Sequence, residues 1–305
     1  MLRTLSGPAM GSRWTVRLDC DAETAAALSE TCAAAVEAVE QATSNWRASS
    51  DLSRLNAAPL DEWVDLPAHL ANVLSTALQI SSASDGLFDI GVGALVQAWG
   101  FGPAKGEADP KAIATHLGKA LRSRDALQLS GTRARKTAPL TIDLSGIAKG
   151  YGVDVLAQSL RDHGIANALC GLDGELVALG HRPDGQPWAV ALEQPDPTRR
   201  AGRSMIELSD RAIATSGSYR HFVNLGKLRV SHTMNPRTGG PATGPLVSVS
   251  VLHDTCTEAD AWATVLMVLG DKAGPDYARA HGLQAIFLTQ HGDDITETLT
   301  GFTPA

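Results

Sequence analysis

Hydrophobic and polar residues follow two regular patterns in the first third of the chain. Residues 13–18 alternate between polar and apolar side chains, which predicts a β-strand. The alanine-rich segment 22–43 repeats its apolar residues at helical spacing and predicts an amphipathic helix. Segment 67–83 has the same spacing and opens with Pro67, a residue favoured in the first turn of a helix.

The middle of the chain is punctuated by glycine. Segment 84–102 predicts a short helix between glycine-rich turns, and the polar segment 103–125 predicts a helix and loops at the surface. The apolar stretch that begins segment 138–165 predicts a strand, followed by a tight glycine turn and a helix that ends near Gly164.

The second half alternates between strand and helix patterns, which predicts an α+β fold. Period-two alternation predicts strands in NALCGLDGELVALG, WAVALEQP, LVSVSVL and QAIFLT, and around Ile213 and Val230. The residue types at 182–186 predict a turn, and those at 235–245 predict a loop. Helical spacing of apolar residues predicts helices over 257–270 and 275–282. No short repeat or low-complexity linker divides the chain.

Composition and charge exclude several classes of function. The net charge of −7, without a basic run, argues against nucleic acid as a partner. The longest apolar runs are about half of the ~20 residues that a membrane span needs, so we expect no transmembrane segment. Four scattered cysteines indicate neither a disulfide scaffold nor a zinc site. The first residues lack the apolar core of an export signal, so we expect a cytoplasmic protein, or a periplasmic one if a leader was removed.

The segment TEADAWATVLMVLG (257–270) has two interpretations. Thr257 and Asp260 have the spacing of a capping box, which satisfies free amides at the start of a helix. Asp260 and Thr264 are also one helical turn apart on the same face. A carboxylate and a hydroxyl in that arrangement could instead be two ligands of a hard cation such as Mg²⁺. The local sequence fits a helix start at least as well.

Three further stretches could carry chemistry, and each also has a purely structural interpretation. In DLSGIAKG (143–150), glycines and Lys149 before a helix could hold a phosphate, although such turns are common. In SHTMNPRTGGP (231–241), His232 could be a general base or a phosphate donor, or simply a hydrogen-bonded histidine. ATSGSYRHF (214–222) could hydrogen-bond a ligand or be a turn. No serine-hydrolase elbow or zinc-protease motif is present.

The order of these stretches resembles the ApbE family, the FAD:protein FMN transferases. The resemblance runs nearly end to end and rests on eight fragments in the family's order: AMGSRWTV, SNWRASSDLSRLN, GLFDIGVGALVQAWGFG, DLSGIAKGYGVD, LDGELVALG, ATSGSYRHF, SHTMNPRTGGP and ADAWATVLMVLG. It implies a single catalytic domain over residues 1–305, which could consist of two intertwined lobes. The implied fold is ApbE-like (T-fold-like), with mixed sheets, flanking helices and an FAD site between the two halves.

The resemblance also implies an activity and a site. Family members use Mg²⁺ to cut FAD at its pyrophosphate, join FMN to a Thr or Ser of a flavoprotein through a phosphoester, and release AMP. The acceptor would present its hydroxyl in an accessible loop. The implied metal ligands are Asp260, Thr264 and the backbone carbonyl of Ala148. The implied FAD-contacting positions are Met10, Trp46, Leu87, Phe88, Asp89, Ser145, Tyr151 and Met234. His232 would activate the acceptor hydroxyl or orient phosphate, and Lys149 would hold phosphate.

The sequence departs from the family pattern at several positions. Ser12 and Trp46 are mild replacements for Thr and Tyr. The others replace residues that could support the site: Gly91 for Thr, Asp173 for Gly, Ser218 and Asn235 for Asp, and Ala263 for an Asp that some members have near the metal. Two other functions stay open at this point: an FAD pyrophosphatase that gives FMN and AMP, and a non-catalytic protein that binds or delivers FAD.

Overall fold

The computed structural model describes residues 1–102, 108–117, 122–196, 201–219, 222–225, 228–292 and 294–302. Within these ranges there are eight α-helices: α1 Ala22–Thr43, α2 Asp51–Ala57, α3 Ala68–Ala83, α4 Gly93–Ala98, α5 Pro110–His116, α6 Ser123–Ala126, α7 Ala148–Asp162 and α8 Cys256–Ala280. A 3₁₀ turn, Ile90–Val92, precedes α4. None of the helices in the described ranges has the length and apolar character to cross a membrane.

The strands form one large sheet and four small ones. The strands are β1 Leu2–Ala9, β2 Ser12–Asp19, β3 Val64–Asp65, β4 Leu127–Ser130, β5 Arg133–Lys136, β6 Ala168–Leu172, β7 Glu175–Leu179, β8 Trp188–Glu193, β9 Gly202–Leu208, β10 Arg211–Gly217, β11 Phe222–Leu225, β12 Leu228–Ser231, β13 Met234–Asn235, β14 Gly240–Pro241, β15 Leu246–His253, β16 Gln284–His291 and β17 Asp294–Thr300. The large sheet has the order β1-β2-β6-β7-β10-β15-β16-β17, and its neighbouring strands pair antiparallel.

The two faces of the large sheet are covered differently. Helices α1, α7 and α8 pack on one face, where an apolar cluster joins Trp14 and Val16 of β2 to Leu156 of α7. The β8–β9 hairpin covers the opposite face, where Trp188 and Val190 pack against Ile213 and Ile286. We call these the helix face and the hairpin face. Side chains alternate between them along each strand.

A second apolar core lies beyond the helix face. It joins α2 and α3, the β3-β5-β4 sheet and the segment around Phe88 to one side of α8, through Ala261, Val265 and Val268. The other side of α8 packs Leu266 on β15 and β16. Because α8 is apolar on both sides, it holds the sheet and the second core together, and its first turns lie at the boundary between them.

The patterned segments fold as the sequence predicts. The strand around residues 13–18 is β2, the helix over 22–43 is α1, and the helix over 67–83 is α3, with Pro67 as its N-cap. The described part of 103–125 contains the exposed helix α5, while 103–107 and 118–121 lie outside the described residues. The two helices predicted over 257–270 and 275–282 meet in α8 at Gly270, whose φ of 80° interrupts the helix.

Two local predictions were wrong. Residues 138–144 form no strand, because a side chain replaces the partner strand: Asn56 donates to the Ile142 carbonyl at 2.9 Å and accepts from the Ile142 amide at 2.7 Å. The cap of α8 is not Thr257 with Asp260. It is Thr255, whose hydroxyl accepts the Glu258 amide at 3.3 Å and donates to the Glu258 carboxylate at 2.8 Å. Asp260 is therefore not accounted for by helix capping.

Candidate active site

A single large cavity brings together nearly all of the predicted site residues. Its volume is about 1300 Å³, above the range of about 300–1,000 Å³ usual for small-molecule pockets. The predicted site residues that line it are Met10, Trp46, Leu87, Phe88, Asp89, Ser145, Ala148, Lys149, His232, Met234, Asp260 and Thr264. These residues come from six separate segments of the chain, and folding brings the six segments together around the cavity.

Tyr151 is the predicted residue that the structure does not bring to the cavity. It lies one turn into α7, and its hydroxyl is 3.0 Å from Nδ1 of His69 and 3.4 Å from Nδ2 of Asn72, both on α3. The Tyr151 side chain therefore joins α7 to α3. Nothing in this arrangement gives it a contact with a ligand in the cavity.

The position of Asp260 is set by contacts between α7 and α8. The Asp154 carboxylate of α7 accepts the backbone amides of Cys256 and Thr257, at 2.9 and 2.8 Å, and so holds the start of α8. The Gly150 amide then donates to the Asp260 carboxylate at 3.0 Å. Residue 150 must be glycine because a Cβ there would overlap the Cys256 carbonyl and lie 2.8 Å from Cβ of Asp260.

The electrostatics of this corner are dominated by buried carboxylates. Burial and the nearby Glu175 carboxylate, against the opposing effect of Lys149, together raise the pKa of Asp260 to about 7. Burial likewise raises the pKa of Glu175. The Lys149 ammonium lies 2.8 Å from Glu175 and 3.5 Å from Asp173. Burial opposes the charge on Lys149, but these carboxylates and Asp260 outweigh it and raise its pKa. One ammonium thus faces three carboxylates.

Thr264 lies one turn after Asp260 and faces the same space. Its hydroxyl is 3.4 Å from that of Ser216 on β10 and 3.3 Å from the Asp260 carbonyl. A Cβ at Gly146 would lie 3.0 Å from the Thr264 hydroxyl, so the loop before α7 can pass this close only because residue 146 is glycine.

These groups fit a hard cation. Asp260, Thr264 and the carbonyl of Ala148 would offer only oxygen donors, which Mg²⁺ prefers. A divalent ion would also compensate the excess of carboxylates over the single Lys149 ammonium. The described residues contain no group of three or more His, Cys, Asp or Glu side chains suited to a metal. Such a site therefore depends on one carboxylate and neutral oxygens, with positions left for phosphate oxygens and water.

Asp89 also lines the cavity but has a different environment. Its carboxylate accepts the Gly91 amide at 2.7 Å and the Ser123 amide at 2.9 Å. Glycine at position 91, where the family commonly has Thr, is explained by packing: a Cβ there would lie 2.7 Å from Cδ1 of Leu140. Asp89 thus fixes the local backbone and presents the neighbouring Phe88 to the cavity.

Met10 and Trp46 also line the cavity. Met10 occupies the β1–β2 turn with φ of 49°, and its amide donates to the Glu40 carboxylate at 2.8 Å. Trp46 is 58% exposed, which is unusual for so large an apolar side chain. An exposed aromatic ring at the rim of a cavity can stack on a planar ligand.

His232 and Met234 reach the cavity from the loop 231–241. The His232 ring meets that of Phe101 edge to face, with the centroids 6.4 Å apart. Met234 is buried in the short β13–β14 hairpin, which the prediction of a simple loop omitted. Arg237 anchors this loop through a 2.9 Å ion pair with Asp85.

Three further departures from the family pattern, at Asp173, Ala263 and Asn235, have defined local environments. Asp173 adopts a φ of 59°, which suits the glycine common in the family, and its carboxylate pairs with Lys149. Ala263 is fully buried in the apolar cluster that packs α8 on the sheet, so it takes no part in the cavity wall. Asn235 accepts the Arg237 amide at 2.9 Å within its own turn.

Sequence reasoning missed two acidic residues that organise the site. Glu175 follows the tight turn between β6 and β7 and is almost fully buried against Lys149. Asp154 holds the start of α8 from a neighbouring helix. Each of the two is a charged residue within an otherwise apolar stretch of sequence, and this feature could have identified them from the sequence.

Comparison with known proteins supports the resemblance. The ApbE family profile matches residues 10–287. The chain is 35% identical over 303 residues to an FAD:protein FMN transferase of Vibrio cholerae, covering 96% of this chain and 89% of the relative. It is 35% identical over 300 residues to that of Escherichia coli K12, covering 95% and 84%.

A solved structure shows the same architecture. The apo flavinyl transferase ApbE of Pseudomonas stutzeri superposes with a TM-score of 0.86 at 32% identity, over 98% of this chain and 95% of that one. The predicted α+β, ApbE-like fold is therefore confirmed. The profile match, the relatives and the shared fold agree, and this chain belongs to the ApbE family.

Proposed function

We propose that the protein is a Mg²⁺-dependent FAD:protein FMN transferase that moves FMN from FAD to a Thr or Ser hydroxyl of a flavoprotein. The observation that carries this proposal is the buried Asp260 beside Thr264 in a cavity of dinucleotide size. Relatives at 35% identity that bear this enzyme's name support it. FAD is thus a substrate, and the acceptor presents its hydroxyl in an accessible loop.

In the proposed reaction the acceptor oxygen attacks the phosphorus of the FMN half of FAD. A P–O bond to the acceptor forms, the bond from that phosphorus to the bridging oxygen breaks, and AMP leaves with the bridging oxygen. Mg²⁺, when bound by Asp260, Thr264 and Ala148, would neutralise diphosphate charge and stabilise the leaving AMP. Because the acceptor supplies the nucleophile, this chain needs none of its own.

The other residues have roles that follow from their places in the wall. Lys149, oriented by Glu175, offers a positive charge to the diphosphate. Met10 and Trp46 offer an apolar and aromatic surface to the flavin ring, and Leu87, Phe88, Ser145 and Met234 contact the rest of the dinucleotide. His232 takes the acceptor proton or orients the phosphate.

The direct test is incubation of the protein with FAD, Mg²⁺ and a candidate flavoprotein acceptor. Covalent FMN on the acceptor, with one AMP released per FMN attached, is the expected result. Free FMN with AMP would indicate a pyrophosphatase, and unchanged bound FAD would indicate a binding or delivery protein. Either result would overturn the proposed transfer.

The role of His232 has a separate test. His232→Ala should lower the rate of transfer by about 10²–10⁴-fold, the usual contribution of a general base, and leave the Kd for FAD within a few-fold of wild type. Equal losses of transfer and of FAD affinity, measured by fluorescence titration, would make His232 a binding residue instead.

A further inference from the structure

The central cavity touches both faces of the large sheet. On the helix face it is lined by Ser216, Thr264 and Asp260. On the hairpin face it is lined by Ile213 and Thr215, which alternate with Ser216 along β10. The wall residues on the hairpin face are Val190, Leu192, Ile213, Thr215, Ser248, Ser250, Ile286 and Leu288, and we call the space that they line the hairpin-side chamber.

The two parts of the cavity meet where β7 and β10 separate. These strands pair only through Arg211–Ile213 of β10 and Leu176–Ala178 of β7. Beyond the paired residues, residues 173–174, just before β7, and residues 216–217, at the end of β10, line the cavity. At this opening Gly174 and Gly217 have no side chains, the Tyr219 ring lies beside Gly217, and a Cβ on Gly174 would lie 3.9 Å from Cβ of Thr215.

The opening lies beside the proposed diphosphate site. On one side the Asp173 carboxylate is 3.5 Å from the Lys149 ammonium, and on the other the Ser216 hydroxyl is 3.4 Å from that of Thr264. A small side chain that entered from the hairpin-side chamber would therefore arrive next to the groups proposed to hold the diphosphate.

The chemistry of the chamber differs from that of the FAD side. Its floor is aliphatic, and its polar groups are hydroxyls, among them Thr215 and Ser250, which are 2.7 Å apart. At its rim the Tyr219 hydroxyl donates to the Glu193 carboxylate at 2.8 Å. Lys149 is the only Lys or Arg among the described residues that line the whole cavity, so the chamber offers phosphate no cation of its own.

The positions implied for FAD lie elsewhere. Leu87 and Phe88 belong to the apolar core beyond the helix face, and Met10 packs against that core. None of the implied FAD positions is among the residues that line the chamber. The implied FAD positions thus assign no residue of the chamber to FAD.

We propose that the hairpin-side chamber binds the acceptor polypeptide, as an extended segment with apolar residues beside the modified Thr or Ser. This inference rests on the proposed transferase function. The acceptor side chain passes between Gly174 and Gly217. Its oxygen forms the P–O bond to FMN and gives its proton to His232 or to water, as AMP leaves with the bridging oxygen. Glu193 and Asp173 disfavour acidic residues next to the acceptor Thr.

The test uses the full chain, FAD, Mg²⁺ and a synthetic library of nine-residue peptides with a central Thr and random flanks. FMN-bearing peptides are identified by flavin fluorescence and mass spectrometry. The proposal predicts that modified peptides are enriched in apolar residues beside Thr and depleted in Asp and Glu. Val190→Phe and Thr215→Phe, which narrow the chamber, should each lower peptide modification at least tenfold while the Kd for FAD stays within twofold of wild type.

The matched control is Leu299→Phe, on β17 outside the chamber and 51% exposed, which should modify peptides like wild type. Equal peptide modification by the narrowed variants and wild type would overturn the chamber proposal. The proposal would also be overturned if both narrowed variants lost FAD affinity as much as they lost transfer activity, because the chamber would then hold FAD. A wild-type protein that modifies a flavoprotein but no peptide would also overturn it. Failure to modify any acceptor, with no AMP released, would instead overturn the transferase proposal.

Discussion

Asp89 and Asp260 both line the same cavity and are almost equally buried, with exposures of 5% and 4%. The Asp89 carboxylate is satisfied by backbone amides of Gly91 and Ser123. The Asp260 carboxylate accepts one backbone amide and faces another buried carboxylate, Glu175. If Asp260 holds Mg²⁺ as proposed, burial alone does not identify a functional carboxylate. The informative feature is a buried charge that the protein leaves incompletely compensated.

The largest expected effect comes from Asp260→Asn. The amide keeps an oxygen for the Gly150 amide but cannot supply the charge that holds Mg²⁺, so FAD turnover should fall at least about a thousandfold. The measurement is AMP release under saturating FAD and Mg²⁺. Asp89→Asn is the matched control and should lose about tenfold or less. Equal turnover losses in the two variants would remove the distinction between the two carboxylates.

Thr264→Val should have the next largest effect. The substitution keeps the shape of the side chain and removes the hydroxyl, so the affinity for Mg²⁺ should fall about 10–100-fold, as when a group supporting a metal site is lost. Titration with Mg²⁺ in the presence of FAD measures it. Ser216→Ala, which removes only the neighbour of that hydroxyl, should lower the affinity less. The reverse ranking would contradict a role for Thr264 as a ligand.

A smaller effect is expected from pH. The pKa of Asp260 is about 7, so the carboxylate is mostly protonated at pH 6 and mostly ionised at pH 8. Mg²⁺ binds the ionised form, and its affinity should therefore fall about tenfold from pH 8 to pH 6. Calorimetric titration at the two pH values tests this in the FAD-free protein. The Asp89→Asn variant should show the same pH dependence of Mg²⁺ affinity. If that variant lost the pH dependence, Asp260 would not be its source.

The smallest effect on turnover, and the clearest effect on stability, is expected from Asp89→Asn. Replacing one acceptor oxygen with an amide leaves a buried backbone amide poorly paired, which should lower the free energy of unfolding by about 1–3 kcal/mol. Urea denaturation measures this change. Unchanged stability together with a large loss of FAD affinity would instead give Asp89 a direct role in nucleotide binding.

The predictions from sequence succeeded where the determining contacts were local. Helix spacing was enough to place Asp260 and Thr264 on one face, and the amphipathic pattern of 22–43 predicted α1. Such patterns do not predict where a side chain lies relative to an element that is distant in the sequence. The Gly150–Asp260 contact joins residues 110 positions apart. The strand predicted over 138–144 failed for the same reason, since the Asn56 side chain takes the bonds of a partner strand.

The resemblance to a family related residues that the local patterns could not connect. It gathered residues such as Met10, Phe88 and His232, which have no shared local signal, and all three line the cavity. It did not predict that Tyr151 turns toward His69, nor that Glu175 orients Lys149. Those features depend on how α3, α7 and β7 pack in this chain.

The most direct test of the account is a crystal structure of the protein with FAD and Mn²⁺, with anomalous scattering used to locate the metal. The account predicts one metal peak in contact with the Asp260 carboxylate, the Thr264 hydroxyl and a diphosphate oxygen of FAD. Bound FAD with no metal beside Asp260, or a metal held by other residues, would contradict it.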